Sequence, residues 1–197
     1  MDENQDGQIV FTSGNTHNIR GRLSAVFDPS GMTNCSVQNL PTSSMFGAGV
    51  FSRDPNSSKL YPMVCGGCVN DCSKTNFKDV DEEKLRQGQI SRDCKILEKD
   101  GSWTAGPQMT KGRIRFSLTR VANMVVAVGG RTAEILKGTT AVEKFEFGKW
   151  SKCKPIPTPI YDHCSLADDK NNRILVLGGI QKDQVISISN VFVKSLF

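Results

Sequence analysis

The residues with the most chemical potential are seven cysteines: Cys35, Cys65, Cys68, Cys72, Cys94, Cys153 and Cys164. Cys65-Gly-Gly-Cys68-Val-Asn-Asp-Cys72, with Cys94 beyond, has spacings acceptable for a four-thiolate zinc site. The same residues admit disulfides. Cys65 and Cys94 lie on runs that read as neighbouring strands, where a cross-strand bond forms if both face the same side. Cys153 and Cys164 flank Pro155-Ile156-Pro157 and could staple one structural unit to the next. Seven is odd, so at least one thiol has no partner within the chain; in the disulfide reading that one is Cys35. Zinc, disulfides and inert thiols all remain open here.

Nucleophilic and metal chemistry have little else to work with. His163-Cys164 suggests a base beside a thiol, but adjacent strand residues point to opposite faces. The chain has only two histidines, His17 and His163, and two tyrosines, Tyr61 and Tyr161, a thin donor set for a copper oxidase centre. Lys111-Gly112-Arg113-Ile114-Arg115, followed by Arg120 and Arg131, is a basic cluster with Phe116 as its one aromatic. Nucleic-acid binding would want interleaved stacking residues, so the cluster reads as solvated surface. The net charge of 25 basic minus 20 acidic groups, +5, is too mild to argue otherwise. No cofactor and no nucleic acid are expected.

These residues must be positioned by strands. The chain has 197 residues, 38% hydrophobic, enough for a real core. Helical periodicity is nearly absent; the one charged candidate, Asp79 to Gln87, reads as a loop excursion. The apolar runs are short, rich in Val, Ile and Phe, and punctuated by Gly, Pro, Asn, Asp or Ser, which signals many short strands. No run of about 18 apolar residues exists to span a membrane. The acidic, polar Met1-Asp2-Glu3-Asn4 start is unlike a signal peptide.

Repeats organise those strands. Met63-Val64-Cys65-Gly66-Gly67, Val126-Ala127-Val128-Gly129-Gly130 and Val176-Leu177-Gly178-Gly179 are apolar runs ending in glycine pairs, and Val10-Phe11-Thr12-Ser13-Gly14 is a weaker copy. Second runs follow, then Trp103 or Trp150, a proline-bearing turn, and Arg115 or His163 opening the next strand. Trp103 and Trp150 are 47 residues apart, Gly129 and Gly178 are 49, but Gly66 and Gly129 are 63. The surplus lies in the loop Cys68–Arg92. A period of roughly 50 with these marks is a repeat signature.

On these residues the chain resembles the kelch β-propeller family over about residues 8 to 193. The resemblance implies an all-β fold of four-stranded antiparallel blades, at about 8–37 (partial), 46–105, 114–152 and 162–193 (partial), with an insertion at 68–92. It makes Gly66, Gly67, Gly129, Gly130, Gly178 and Gly179 strand-end corners, and Trp103 and Trp150 fillers between blades. Three and a half blades make an incomplete ring, so a fragment of a longer propeller is expected, or self-association through open edges. The family mostly serves as protein-interaction modules rather than enzymes. Contact residues would then be Arg115 and His163 near the centre, and Phe77 in the long loop. Binding of a glycan or other extracellular ligand, and less so an oxidase-like metal centre, are the alternatives. Cysteine usage and the sequons Asn34-Cys35-Ser36 and Asn56-Ser57-Ser58 lean toward an extracellular or secretory setting.

Overall fold

A computed structural model describes residues 9–12, 24–27, 37–42, 44, 46–53, 59–69, 90–135, 137–181, 184–185 and 191–194. Phe77, the 79–87 segment, Cys35, Cys72, His17 and both sequons lie outside them. Among the described residues every strand pairing is antiparallel. The N-terminal ribbon pairs β1 (Ile9–Thr12) with β2 (Ser24–Phe27). A four-stranded sheet follows, ordered β3 (Ala48–Arg53), β4 (Leu60–Cys65), β5 (Cys94–Leu97), β6 (Trp103–Ala105). The next, in the same up-and-down order, is β7 (Ser117–Val121), β8 (Met124–Val128), β9 (Val142–Glu146), β10 (Lys149–Lys152). In the last sheet β11 (Cys164–Asp168) pairs with β12 (Arg173–Leu177) and β12 with β15 (Val191–Lys194). A short hairpin, β13 (Ile180–Gln181) and β14 (Gln184–Val185), interrupts it. The protein is thus all-β and built of blade-like sheets.

The sheets stack through their leading strands, with β7 against both β3 and β11. β8 explains how one sheet serves two neighbours. All of Met124–Val128 is buried, and strand alternation sends successive residues to opposite faces. Val125 and Ala127 join Val50, Met63, Met109, Phe116, Phe145 and Trp150 in one core cluster. Met124, Val126 and Val128 join Val121, Val142, Ile156, Ile160, Ile174 and Val176 in another. A strand covered on both sides reads as an unbroken apolar run for this reason.

The glycine pairs are corners of one geometry. Gly66 and Gly67 have φ of 66° and 91°, Gly129 and Gly130 59° and 88°, Gly178 and Gly179 64° and 100°. Only glycine adopts such consecutive values without steric cost. Space forbids a side chain as well, because a Cβ on Gly129 would sit 2.6 Å from the Ile160 carbonyl. Gly67 N–H donates to Arg113 O and Gly130 N–H to Ile160 O, both at 2.8 Å, tying each corner to the crossover that feeds the next sheet.

The tryptophans are equally in register. Trp103 Nε1 donates to Gln38 O at 2.8 Å and Trp150 Nε1 to Pro107 O at 3.1 Å. Each indole therefore reaches back to the crossover leading into its own sheet. Trp150 is buried, packs 5.5 Å from Phe145, and pairs with it across strands. Trp103 pairs with Leu97 in the same way.

Candidate functional site

Crossovers and the loops after the glycine pairs share one face of the molecule, and its centre is built on three left-handed residues. Phe46, Arg115 and Asp162 have φ of 60°, 56° and 54°. Each stands two residues before a leading strand, β3, β7 or β11. Arg115 N–H donates to Phe46 O at 2.8 Å, and Asp162 N–H to Arg115 O at 3.0 Å. This backbone chain holds three side chains of different chemistry side by side. Strained backbone in non-glycine residues clusters at functional sites.

Their side chains interact. The Arg115 guanidinium lies 4.8 Å from the centroid of the Phe46 ring and its Nη1 pairs with Asp162 Oδ2 at 2.5 Å. Beside it, Ile114 and Arg131 exchange backbone hydrogen bonds at 3.0 and 2.8 Å. The Arg131 guanidinium lies 4.0 Å over the buried Tyr161 ring. Among the described residues no carboxylate pairs with Arg131, and its Nε is buried without a hydrogen-bond partner. A cation held on an aromatic face and unneutralised is suited to receive an anionic or carbonyl group.

Below this surface lies a buried ion pair. Arg113 Nη2 and Nε bond to Glu143 Oε1 at 2.6 and 3.2 Å. Arg113 Nη1 donates to Gly129 O at 2.7 Å and Ala141 O at 2.9 Å, while Thr110 N–H donates to Glu143 Oε2 at 2.7 Å. Both side chains are 0–1% exposed. The solvated-surface reading of the 111–115 cluster therefore fails at Arg113. Its charge is matched by Glu143, 30 residues away, a partner no local pattern reveals. The pair walls a cleft of about 170 Å³ between β9, β10 and the crossovers at either end of their sheet, which Lys111, Thr140, Lys152, Cys153 and Pro155 also line.

His163 sits one residue further in than expected. Asp162, not His163, is the structural counterpart of Arg115, and 12 residues separate Trp150 from Asp162 as they separate Trp103 from Arg115. His163 corresponds to Phe116 and is buried. Its Nε2 lies 2.9 Å from Ser117 Oγ of the preceding sheet, and Nδ1 has no partner. Burial lowers its pKa to about 4, more than the Val128 backbone and Asp162 raise it, so it joins sheets as a neutral ring.

The cysteines divide. Cys65 and Cys94 are directly opposite on β4 and β5, buried, with Cα atoms 4.0 Å apart, and are disulfide-bonded. That bond takes two of the four thiolates the zinc reading needs, so that reading does not hold. Cys68, fully buried, is disulfide-bonded as well. The expected Cys153–Cys164 staple is absent, and both are free thiols. Cys153 follows β10, the trailing strand of one sheet, while Cys164 opens β11, the leading strand of the next. The crossover spans a four-stranded sheet, about 14 Å by the usual strand spacing. Burial raises the Cys153 thiol above its ordinary pKa, which lowers the share of reactive thiolate.

No protein-family model and no curated protein matches the chain. Among solved structures it is similar to YjhT, with a TM-score of 0.63 and 14% identity over 89% of this chain. The chain spans half (50%) of that protein's length. At this identity the likeness is one of fold alone, and a fold matched by 159 solved chains says nothing of chemistry. Among the described residues no helix is long and apolar enough to cross a membrane.

Proposed function

We propose that this chain is a kelch-type propeller module that binds a protein partner through the face carrying Phe46, Arg115, Arg131 and Asp162, and that it is not an enzyme. The observation that carries the reading is Arg131, a guanidinium stacked on Tyr161 beside the Arg115–Asp162 pair and without a carboxylate partner among the described residues. Rigid scaffolds presenting recognition residues on loops are the usual architecture of such modules, and arginine with aromatic residues is enriched where binding energy concentrates. The buried Cys65–Cys94 bond supports an oxidising compartment.

Proximity labelling with the full chain, compared with Arg131→Ala and with deletion of residues 74–90, tests this. Partners enriched by the native chain should be lost in one or both variants while each melts within a few degrees of it. An identical partner set in all three removes the loop face from the binding reading.

A further inference from the structure

The opposite face of the molecule, made of the strand-to-strand turns, carries an anomaly that folding does not need. β9 and β10 are joined by Phe147-Gly148, with Glu146 paired to Lys149. Phe147 and Gly148 have φ of 50° and 77°. Such two-residue turns favour Asn, Asp or Gly at the first position because both residues need positive φ, and a bulky residue there is a real outlier. Phe147 is also 83% exposed, the most exposed large apolar side chain among the described residues. The matching turn of the preceding sheet does without it. There Asp100-Gly101 closes the hairpin, and Asp100 Oδ1 accepts from Ser102 N–H and Oγ–H at 2.9 and 2.6 Å. Phe147 thus bears both backbone strain and hydration cost while burying little of its ring among the described residues.

Charges on this turn face are sorted. Among the described residues, two of its carboxylates are ion-paired, Glu146 with Lys144 and Asp168 with Arg173, while Glu98, Asp100 and Asp169 keep their charge and accept hydrogen bonds from Thr104, Ser102 and the Ala122 amide. Lys59, Lys99, Lys149 and Lys170, on four of its turns or turn edges, are exposed and pair with no carboxylate among the described residues. Lys59 and Lys99 lie close enough that Lys59 holds the Lys99 ammonium below its ordinary pKa, by hydrogen bonding first and by like charge second. An anion placed over both ammonium groups relieves that repulsion.

We propose that the turn face docks on an anionic lipid surface, with Phe147 inserted at the headgroup boundary and Lys59, Lys99, Lys149 and Lys170 against the lipid phosphates and carboxylates. The shape selects a bilayer over an acidic protein. Phe147 is a single exposed side chain, and its area falls far short of the roughly 800 Å² per partner that a stable protein interface buries. A fluid interface accepts an isolated aromatic tip and adds long-range attraction for the lysines. This is independent of the partner-binding reading, because it uses the other face.

Sedimentation of the full chain with sucrose-loaded vesicles tests it, comparing 70:30 phosphatidylcholine:phosphatidylserine with phosphatidylcholine alone. The expected result is phosphatidylserine-dependent binding that 0.5 M salt releases. Phe147→Asn should weaken it roughly tenfold, and the Lys99→Glu/Lys149→Glu pair by at least about twentyfold. Phe147→Asn should melt at the same temperature or higher, since it relieves the strained turn, so lost binding cannot be blamed on misfolding. Failure to bind the mixed vesicles, equal binding to phosphatidylcholine alone, or binding indifferent to Phe147→Asn would each overturn the proposal. Phe147-dependent binding of soluble polyaspartate without vesicle binding would replace it with an acidic protein partner.

Discussion

His163 shows how a single side chain sets a pH limit. It is neutral and buried, hydrogen-bonded to Ser117 across a joint between sheets. Its folded pKa of about 4 lies below the ordinary value of 6.5. Between those values the unfolded chain binds the proton and the folded chain does not, so stability rises with pH. The contribution is complete above about pH 6.5 and lost as pH falls through 4. The difference corresponds to about 3 kcal/mol. Urea melts of the native chain should show a fall of that order from pH 7 to pH 4. In His163→Gln that component should vanish, and an unchanged pH profile would show that His163 does not titrate as described.

Strand pairs have their own energetics, and β4–β5 is the informative one. Cys65 and Cys94 face each other across the ladder and close a loop with a sequence separation of 29. Loop-closure entropy puts the stabilisation at about 3–4 kcal/mol. The bond also anchors both ends of the long excursion between these strands. Cys65→Ala/Cys94→Ala should melt well below the native chain under oxidising conditions, and reductant should bring the native chain at least as low, since it opens the Cys68 bond as well. A native chain indifferent to strong reductant, with the thiols shown to be free, would contradict the bond. Sequence offered the pairing as one of three readings, because Cys65 precedes a glycine pair on one strand and Cys94 opens the next, and the register of β4 and β5 decides for it. The expectation of a Cys153–Cys164 staple fails, because short separation in sequence hides a crossover between strands at opposite edges of neighbouring sheets.

The stack of sheets is held by more than apolar contact. Arg113 in a crossover and Glu143 on β9 form a saturated buried pair that also grips the Gly129 carbonyl. Removing one partner leaves an uncompensated buried charge, which costs about 3–5 kcal/mol. Arg113→Met should lose that much, whereas Arg113→Met/Glu143→Leu should recover most of it, since an apolar replacement of both groups is close to neutral. Chemical denaturation of the three proteins decides this, and a double variant as unstable as the single would show that the carbonyl contacts, not the ion pair, dominate.

What could be read without coordinates was whatever repeats locally. Alternating or unbroken apolar runs dictate strands, and paired glycines dictate a left-handed corner. Trp103 and Trp150 mark the trailing strands because each blade solves the same packing problem with the same residues. Contacts between blades carry no such signature. The Arg113–Glu143 pair, the stacking of Arg131 on Tyr161, and the equivalence of Arg115 with Asp162 join residues 30 to 47 positions apart. They arise only when sheets stack and crossovers fold over their edges, and the charge or orientation of each side chain is then set by neighbours that the linear order keeps apart.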